Sequence, residues 1–245
     1  MTKVSIVTIS QHTRFTVLEL CLQHILAQTV QPFEWVIVDG SKTEEDAKIH
    51  GTNIATLVAP FPIHYIPYQG ETKLGGLRNR GNVACKGDII VCMDDDDYYP
   101  TNRIQHVLEQ FKRYPTYQIA GCSNVLLYDY SLHRLYQCIG FHANHATNNT
   151  FAWRANYIKN HTHDPSKSNA EEASFTNEFT EKIIPLDPKS TVIVSSHTAN
   201  TFDKRSLIQN NPRFKLIPHP AVFAIMPEHI YKQYDEYFRN KAKKI

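Results

Sequence analysis

Four consecutive carboxylates, Asp94-Asp95-Asp96-Asp97, follow the apolar run DIIVCM and precede Tyr98-Tyr99-Pro100. Charges this close repel one another, and a hard divalent cation is the simplest remedy. Mg2+ and Mn2+ take oxygen ligands and often share their shell between one or two carboxylates and a substrate phosphate. If the run is extended, alternate residues point the same way, which predicts Asp94 and Asp96 on one ligand. A second strand-like run, FEWVIV, also ends in an acid, Asp39, followed by Gly40-Ser41. Open parallel sheets bind ligands beyond the carboxyl ends of their strands, so two acidic strand ends mark one place for chemistry. Between them lies LGGLRNRGNVACKGD, whose Arg78 and Arg80 suit carboxylates or a diphosphate.

The flanking patterns must supply the strands and helices that hold these residues. Lys3–Ser10 reads as a buried strand. Thr13–Gln28 carries a helical apolar stripe with Thr13 as its N-cap. Phe33–Val38 is a second strand, Ile54–Val58 a short helix or loop, and Ile63–Pro67 a third strand. Leu74–Ala84 is a helix, Asp88–Met93 a fourth strand, and Pro100 opens a helix through Tyr114. Strands alternating with helices predict an α/β domain with a largely parallel sheet. Further on, Ile119–Tyr128 and His133–Ile139 read as antiparallel strands, Asn144–Ala155 as a polar, turn-rich stretch, and 156–170 as a loop. Ala170–Phe179 is predicted helical, Thr191–Ser195 a strand and Tyr231–Lys244 a charged terminal helix. No repeat, low-complexity tract or linker divides the chain, which predicts a single domain over 1–245.

Composition removes several classes of function. Of 245 residues, 42% are hydrophobic and 20% charged, which excludes wholesale disorder. Lys plus Arg number 26 against 24 for Asp plus Glu, so no global field favours nucleic acid. Five scattered cysteines without a CxxC argue against a disulfide scaffold and for a reducing compartment. No apolar run approaches the ~20 residues of a transmembrane segment, and the N-terminus lacks a signal peptide's pattern. The expectation is therefore a cytoplasmic chain whose sequons at Asn148 and Asn160 carry no glycan. The turn Ser10–Arg14 has no glycine for a dinucleotide fingerprint, and Gly75–Gly81 lacks the Lys-[Ser/Thr] of a P-loop. His142-x-x-His145 and His161-x-His163 lack a matching pair for zinc, so structural roles are expected there. Trp153 and Tyr98 are aromatic candidates for stacking on an acceptor sugar. A nucleotidyltransferase would also use strand-end aspartates and Mg2+, but it would want a glycine-rich triphosphate loop near the first strand. A sugar- or nucleotide-binding module that has lost catalysis is a further reading.

The strand ending in Asp-Gly-Ser, the Arg-Asn helix and IIVCMDDDDYYP together resemble the GT-A glycosyltransferases of family 2 over roughly residues 3–210. HATNNTFAWR, the pair Glu171-Glu172 and SSHTANTFDKR fit the same pattern. The combination is similar to enzymes encoded by large DNA viruses of the chlorovirus and mimivirus kind, which implies a virus-encoded protein acting in the host cytoplasm. The resemblance implies a GT-A fold with a nucleotide-sugar-binding half, 1–97, and an acceptor half, 98–245. It implies transfer of a sugar from a nucleotide-diphosphate donor, a UDP-sugar by preference, to a hydroxyl of a glycan or glycoprotein, with inversion and with Mn2+ or Mg2+. Asp39 would contact the nucleobase, and Thr8, Ser10 and Arg14 would line the nucleotide pocket. Arg78 and Asp95 would join the nucleotide-sugar contacts, Asp94 would reach ribose or metal, and Asp97 would shape the sugar site. Asp96 would be the main metal ligand, with His197 near the metal or the diphosphate. Glu172 takes the position of the catalytic base, with Glu171 as the alternative, and His145 gains interest from its place in HATNNT.

Overall fold

A computed structural model describes residues 2–197, 208 and 211–242. Strand β1 (Val4–Ser10) carries Val4, Ile6, Val7 and Ile9 and is buried along nearly its whole length. It can be so because it is paired in parallel on both sides, with β2 (Glu34–Asp39) and β4 (Ile89–Cys92). β3 (Ile63–Ile66) adds in parallel to β2. The register sets Ser10 opposite Asp39 and Val7 opposite Cys92, so Asp39 and the chain after Cys92 emerge at the same sheet edge. Beyond β4 the sheet continues with β8 (Ala152–Arg154), β5 (Ile119–Gly121) and β9 (Ile183–Pro185), in the order β3-β2-β1-β4-β8-β5-β9. Among the described residues only the two pairings of β8 in this sheet are antiparallel. This is the mixed α/β fold with a mostly parallel sheet that the alternation predicts. A second sheet takes β10 (Ile193–Ser196), β6 (Val125–Asp129), β7 (Arg134–Cys138) and β11 (Phe214–Ile217), in that order.

Several elements depart from the sequence reading. A 3-10 turn, His12–Arg14, precedes α1 (Phe15–Leu26), and Thr13 caps nothing there. Helix α2 (Glu44–Ile54) occupies a stretch left unassigned; Thr43 caps it by accepting from the Asp46 amide at 3.1 Å, with three acids in the first turn. Pro100 lies in the turn before α4 (Arg103–Arg113) and its carbonyl accepts from the Arg103 amide. The expected strand Ile119–Tyr128 breaks at Cys122–Asn124 and feeds both sheets as β5 and β6. The expected antiparallel pair is then β6 with β7. β8 was hidden in the turn-rich stretch. Helix α5 covers only Glu172–Phe175, after which Asn177, Glu178 and Phe179 adopt φ of 48°, 55° and 59°. A non-glycine residue there costs roughly 1–2 kcal/mol in the left-handed region, so contacts around the turn must hold it. The last helix, α6, is Glu228–Ala242. Lys243 and Lys244, and residues 198–205 of SSHTANTFDKR, lie outside the described residues.

Helix α3 (Leu74–Ala84) places the basic side chains, and Gly75 explains how closely it is approached. A Cβ at Gly75 would lie 1.9 Å from the Asp164 carbonyl oxygen. The Gly75 amide donates to Lys167 O at 3.0 Å. Asn79 clasps the same loop, donating to His163 O at 2.8 Å and accepting from the His163 amide at 2.9 Å. The loop 163–167 is thereby fastened to α3 just before Glu171. Gly75→Ala should therefore lower the melting temperature, although alanine favours a helix by about 1 kcal/mol. An unchanged or raised melting temperature would mean that the loop is not docked on α3.

Candidate active site

The chain leaves β4 in a turn, not in an extended run, and this decides how the four aspartates are partnered. The Asp94 amide donates to the buried Tyr99 hydroxyl at 2.7 Å. The Asp94 carboxylate faces Arg78, with Nη1 at 3.3 Å and Nη2 at 3.5 Å. Asp95 and Asp96, adjacent in the turn, share Arg14: its Nη2 is 2.5 Å from Asp95 Oδ1 and 2.5 Å from Asp96 Oδ2. His197 Nε2 lies 3.3 Å from the same Asp96 oxygen, its ring stacked on Phe238. Asp97 turns inward. It accepts from the Ser195 amide at 2.8 Å and the Asn149 side-chain amide at 2.6 Å, and so ties β10 to the end of β4. The expectation that Asp94 and Asp96 face one ligand is therefore corrected: the tight turn pairs neighbours, and Asp94 looks toward a different cation. Asp97, 2% exposed, is a latch between the sheets in this structure and is not at a sugar surface.

Charge compensation is strong on both sides of the turn. Burial works against the Arg14 charge, but Asp95, then Asp96 and Asp94, outweigh it and keep the guanidinium firmly protonated. Burial pushes the Asp95 carboxyl up to about 7 against the pull of Arg14, and the hydroxyl of Ser10 lies close enough to favour the ionised form. Arg78 is likewise held protonated against burial, by Asp94 first, then Cys92 and Glu171.

Arg78 also reaches the second acidic centre. Its Nε donates to Glu171 Oε1 at 2.7 Å, and the Asn148 amide donates to the same oxygen at 3.0 Å. Asn148 is fixed in turn by His163 Nε2 at 2.9 Å. His163 stacks on Phe175 with centroids 4.1 Å apart, and burial, with Arg78 adding to it, lowers its pKa to about 2, so the ring is neutral. Glu171 is thus buried and committed. Glu172, half-buried at the start of α5, makes no side-chain ion pair or hydrogen bond to another residue among the described residues. Burial and then the Glu171 charge push its carboxyl up to about 7; its own backbone amide, Arg78 and Asp94 are the other groups that face it.

Asp39 is fully buried: the Ser41 amide donates to Oδ1 at 2.7 Å and the Tyr65 hydroxyl donates to Oδ2. The expectations for Thr8, Trp153 and Tyr98 are corrected by burial. Thr8 lines no pocket, because its hydroxyl donates to Met93 O at 2.7 Å and accepts from Trp35 Nε1 at 2.9 Å inside the sheet. Trp153 is a core residue of β8, edge-on to Phe175. Tyr98 is 3% exposed, packed edge-on to His24, with its hydroxyl donating to Ile225 O. Neither ring offers a face to a sugar. Arg80 points away, to Pro67 O. His145 packs against Phe141 and Phe179. Tyr65, Tyr99, Asn148, Asn149 and His163 were missed as individual site residues. For the two asparagines the string HATNNT was the signal; for the others only the tertiary contacts show it.

Among the described residues no group of three or more His, Cys, Asp or Glu is arranged to hold a metal ion. What exists is a pair of hard carboxylates, Asp95 and Asp96, already bridged by a cationic guanidinium. That donor set suits a hard dication whose remaining ligands come from a bound substrate, provided that Arg14 gives way.

The family model "Glycosyl transferase family 2" matches residues 5–209. The chain belongs to glycosyl transferase family 2. An uncharacterized glycosyltransferase of Nostoc sp. is 29% identical over 111 residues, 45% of this chain and 33% of that protein. The amylovoran biosynthesis glycosyltransferase AmsE of Erwinia amylovora is 25% identical over 118 residues, 48% of this chain and 43% of that one. The chain thus matches less than half the length of these curated relatives. Among solved structures, the mannosyltransferase PcManGT of Pyrobaculum calidifontis, in complex with GDP-Man and Mn2+, superposes with a TM-score of 0.58 at 12% identity, covering 84% of this chain and 60% of that one. S. aureus TarS 1–349 in complex with UDP gives 0.52 at 15% identity, covering 80% and 61%. These likenesses show the GT-A fold. No helix of the described residues is long and apolar enough to cross a membrane.

Arg78 joins the two acidic centres, and its removal leaves Glu171 buried without its cation. Breaking a buried pair in this way costs about 3–5 kcal/mol. Arg78→Met should lose stability on that scale in urea unfolding, and the double variant with Glu171→Gln should recover part of it. A loss below about 1 kcal/mol would show that Glu171 does not depend on Arg78.

Proposed function

We propose that this chain is a glycosyltransferase that moves a sugar from a nucleotide-diphosphate donor, a UDP-sugar by preference, to a hydroxyl of a glycan or glycoprotein, with inversion. The observation that carries the reading is the placement of two acidic centres on either side of one guanidinium. Asp94 and its neighbours stand on one side of Arg78, and the Glu171–Glu172 pair on the other. Residues 1–97 serve the nucleotide sugar and 98–245 the acceptor, in one domain. The donors named with the solved neighbours, UDP, UDP-GlcNAc and GDP-Man, support a nucleotide sugar. Uracil is favoured because its N3–H can take the place on Asp39 Oδ2 that the Tyr65 hydroxyl now holds. The strings HATNNTFAWR and SSHTANTFDKR support a virus-encoded origin, and five free thiols suit a reducing cytoplasm.

Each residue has a share in the mechanism. Asp96 is the residue that would hold Mn2+ or Mg2+, with His197 beside it, and the ion supplies Lewis-acid stabilisation of the departing diphosphate. Arg78 steadies Asp94 and Glu171 at fixed positions. Glu172 takes the proton from the acceptor hydroxyl as it attacks, and a carboxyl near 7 can both accept and release that proton at neutral pH. A base on the face opposite the diphosphate gives in-line displacement with inversion.

Two variants test this together. Glu172→Gln should keep nucleotide affinity and lose roughly 10²–10⁴-fold in turnover, the usual contribution of a positioned base. In the wild type, turnover should rise with pH through about 7 as the carboxyl ionises, and this acid limb should vanish in the variant. Asp96→Asn should instead weaken the binding of UDP measured with Mn2+, because a neutral amide is a poor ligand for a hard dication. Turnover near wild type in Glu172→Gln, or a flat pH profile, would overturn the base assignment.

A further inference from the structure

We infer that Arg14 is a resident counter-ion of the acidic turn, with which a divalent cation must compete and which the donor diphosphate then takes over. The inference rests on the metal-assisted reading above. Its basis is the geometry of one side chain. The Arg14 guanidinium bridges Asp95 and Asp96 at 2.5 Å each, and on Asp96 it occupies Oδ2, the oxygen that His197 also faces. Asp95 is 1% exposed and cannot turn to solvent for compensation. The Arg14 side chain retains 25% exposure.

A dication on the Asp96 carboxylate and the guanidinium beside it repel each other at contact distance, so each weakens the other's hold on Asp96. The cation alone must therefore compete with an existing charge pair as it gains its own ligand. A nucleoside diphosphate changes that balance. Its phosphate oxygens complete the shell of the cation, and they also offer the released guanidinium a bidentate partner. Arg14 stands in the 3-10 turn between β1 and α1, on a long side chain whose head can shift while its backbone amide stays bonded to Gln11 O at 2.8 Å. The consequence is thermodynamic. Cation and diphosphate bind cooperatively, each strengthening the other by the same factor, and Arg14 is the origin of that coupling. In the empty protein it also keeps the acidic turn from scavenging free cations. It is a positioning and specificity residue for the pair of ligands.

The test measures binding and needs no turnover. Mn2+ is titrated into the wild type, R14Q and R14K by electron paramagnetic resonance, with and without UDP, after thermal melts have shown each variant folded. In the wild type, UDP should tighten Mn2+ by roughly ten-fold or more, on the usual scale of coupling between two sites. R14Q should bind Mn2+ alone more tightly than the wild type by a similar factor and lose most of the enhancement by UDP. R14K, which keeps the charge but not the planar fork, should fall between the wild type and R14Q. Mn2+ binding by R14Q no tighter than by the wild type, or an undiminished UDP effect, would overturn the inference and leave the metal reading standing. Absence of Mn2+ binding in all three proteins even with UDP would overturn the metal reading itself, and this inference with it.

Discussion

Four carboxylates on consecutive residues are the constraint that organises this molecule. At contact distances their mutual repulsion is large wherever water is excluded, and three of the four sit in a largely buried turn. Three devices meet these charges. Asp94 faces Arg78 from α3, and Asp95 and Asp96 share Arg14 from the turn after β1. Asp97 is satisfied by amide donors from the Ser195 backbone and Asn149. The partners come from far apart in the chain, so the turn can form in this shape only when the sheet, α3 and the second sheet are assembled around it.

The same partners give the site its rigidity. Arg78 spans from Asp94 to Glu171, and Glu171 is held again by Asn148, which His163 fixes in turn. His163 belongs to the loop that Gly75 allows to lie against α3. A chain of polar contacts therefore runs from the part-exposed Asp94 at the end of β4 to the start of α5, through residues that are mostly buried. A network of this kind is strong when every member is satisfied and costly when one is lost.

Burial also divides chemically similar residues into different roles. Glu171 and Glu172 are neighbours with the same side chain. Glu171 is enclosed with a cation, while Glu172 is half-buried beside a like charge, which raises its carboxyl toward neutrality. Asp96 and Asp97 differ in the same way. The one lies toward a cationic side chain and an imidazole, and the other is turned inward to hold two sheets together. The neutral, stacked His163 shows the complementary case, a titratable ring that burial keeps uncharged as a hydrogen-bonding strut.

Much of this was legible in the amino-acid sequence. Short-range patterns placed β1, β2, β3, β4 and α3 almost to the residue, because short apolar and β-branched runs, and the helix between them, are local properties. The acidic ends of β2 and β4 followed from them, as did the place where ligand chemistry belongs. The family likeness carried by the Arg-Asn helix and the aspartate run lay in contiguous motifs too. What the sequence could not determine was decided by contacts between distant segments. β8, in a polar stretch, becomes a central strand because β4 and β5 offer it two edges. Trp153 and Tyr98, equally suited to a sugar or a core, are claimed by Phe175 and His24. The alternation argument for Asp94 and Asp96 failed because a turn, not a strand, carries them, and the turn's shape is set by Arg14 and Arg78. Residue types and spacing name the chemistry that is available. Which oxygen faces which cation is a property of the assembled fold, since only packing brings residues 14, 78, 96, 171 and 197 within a few ångströms of their partners.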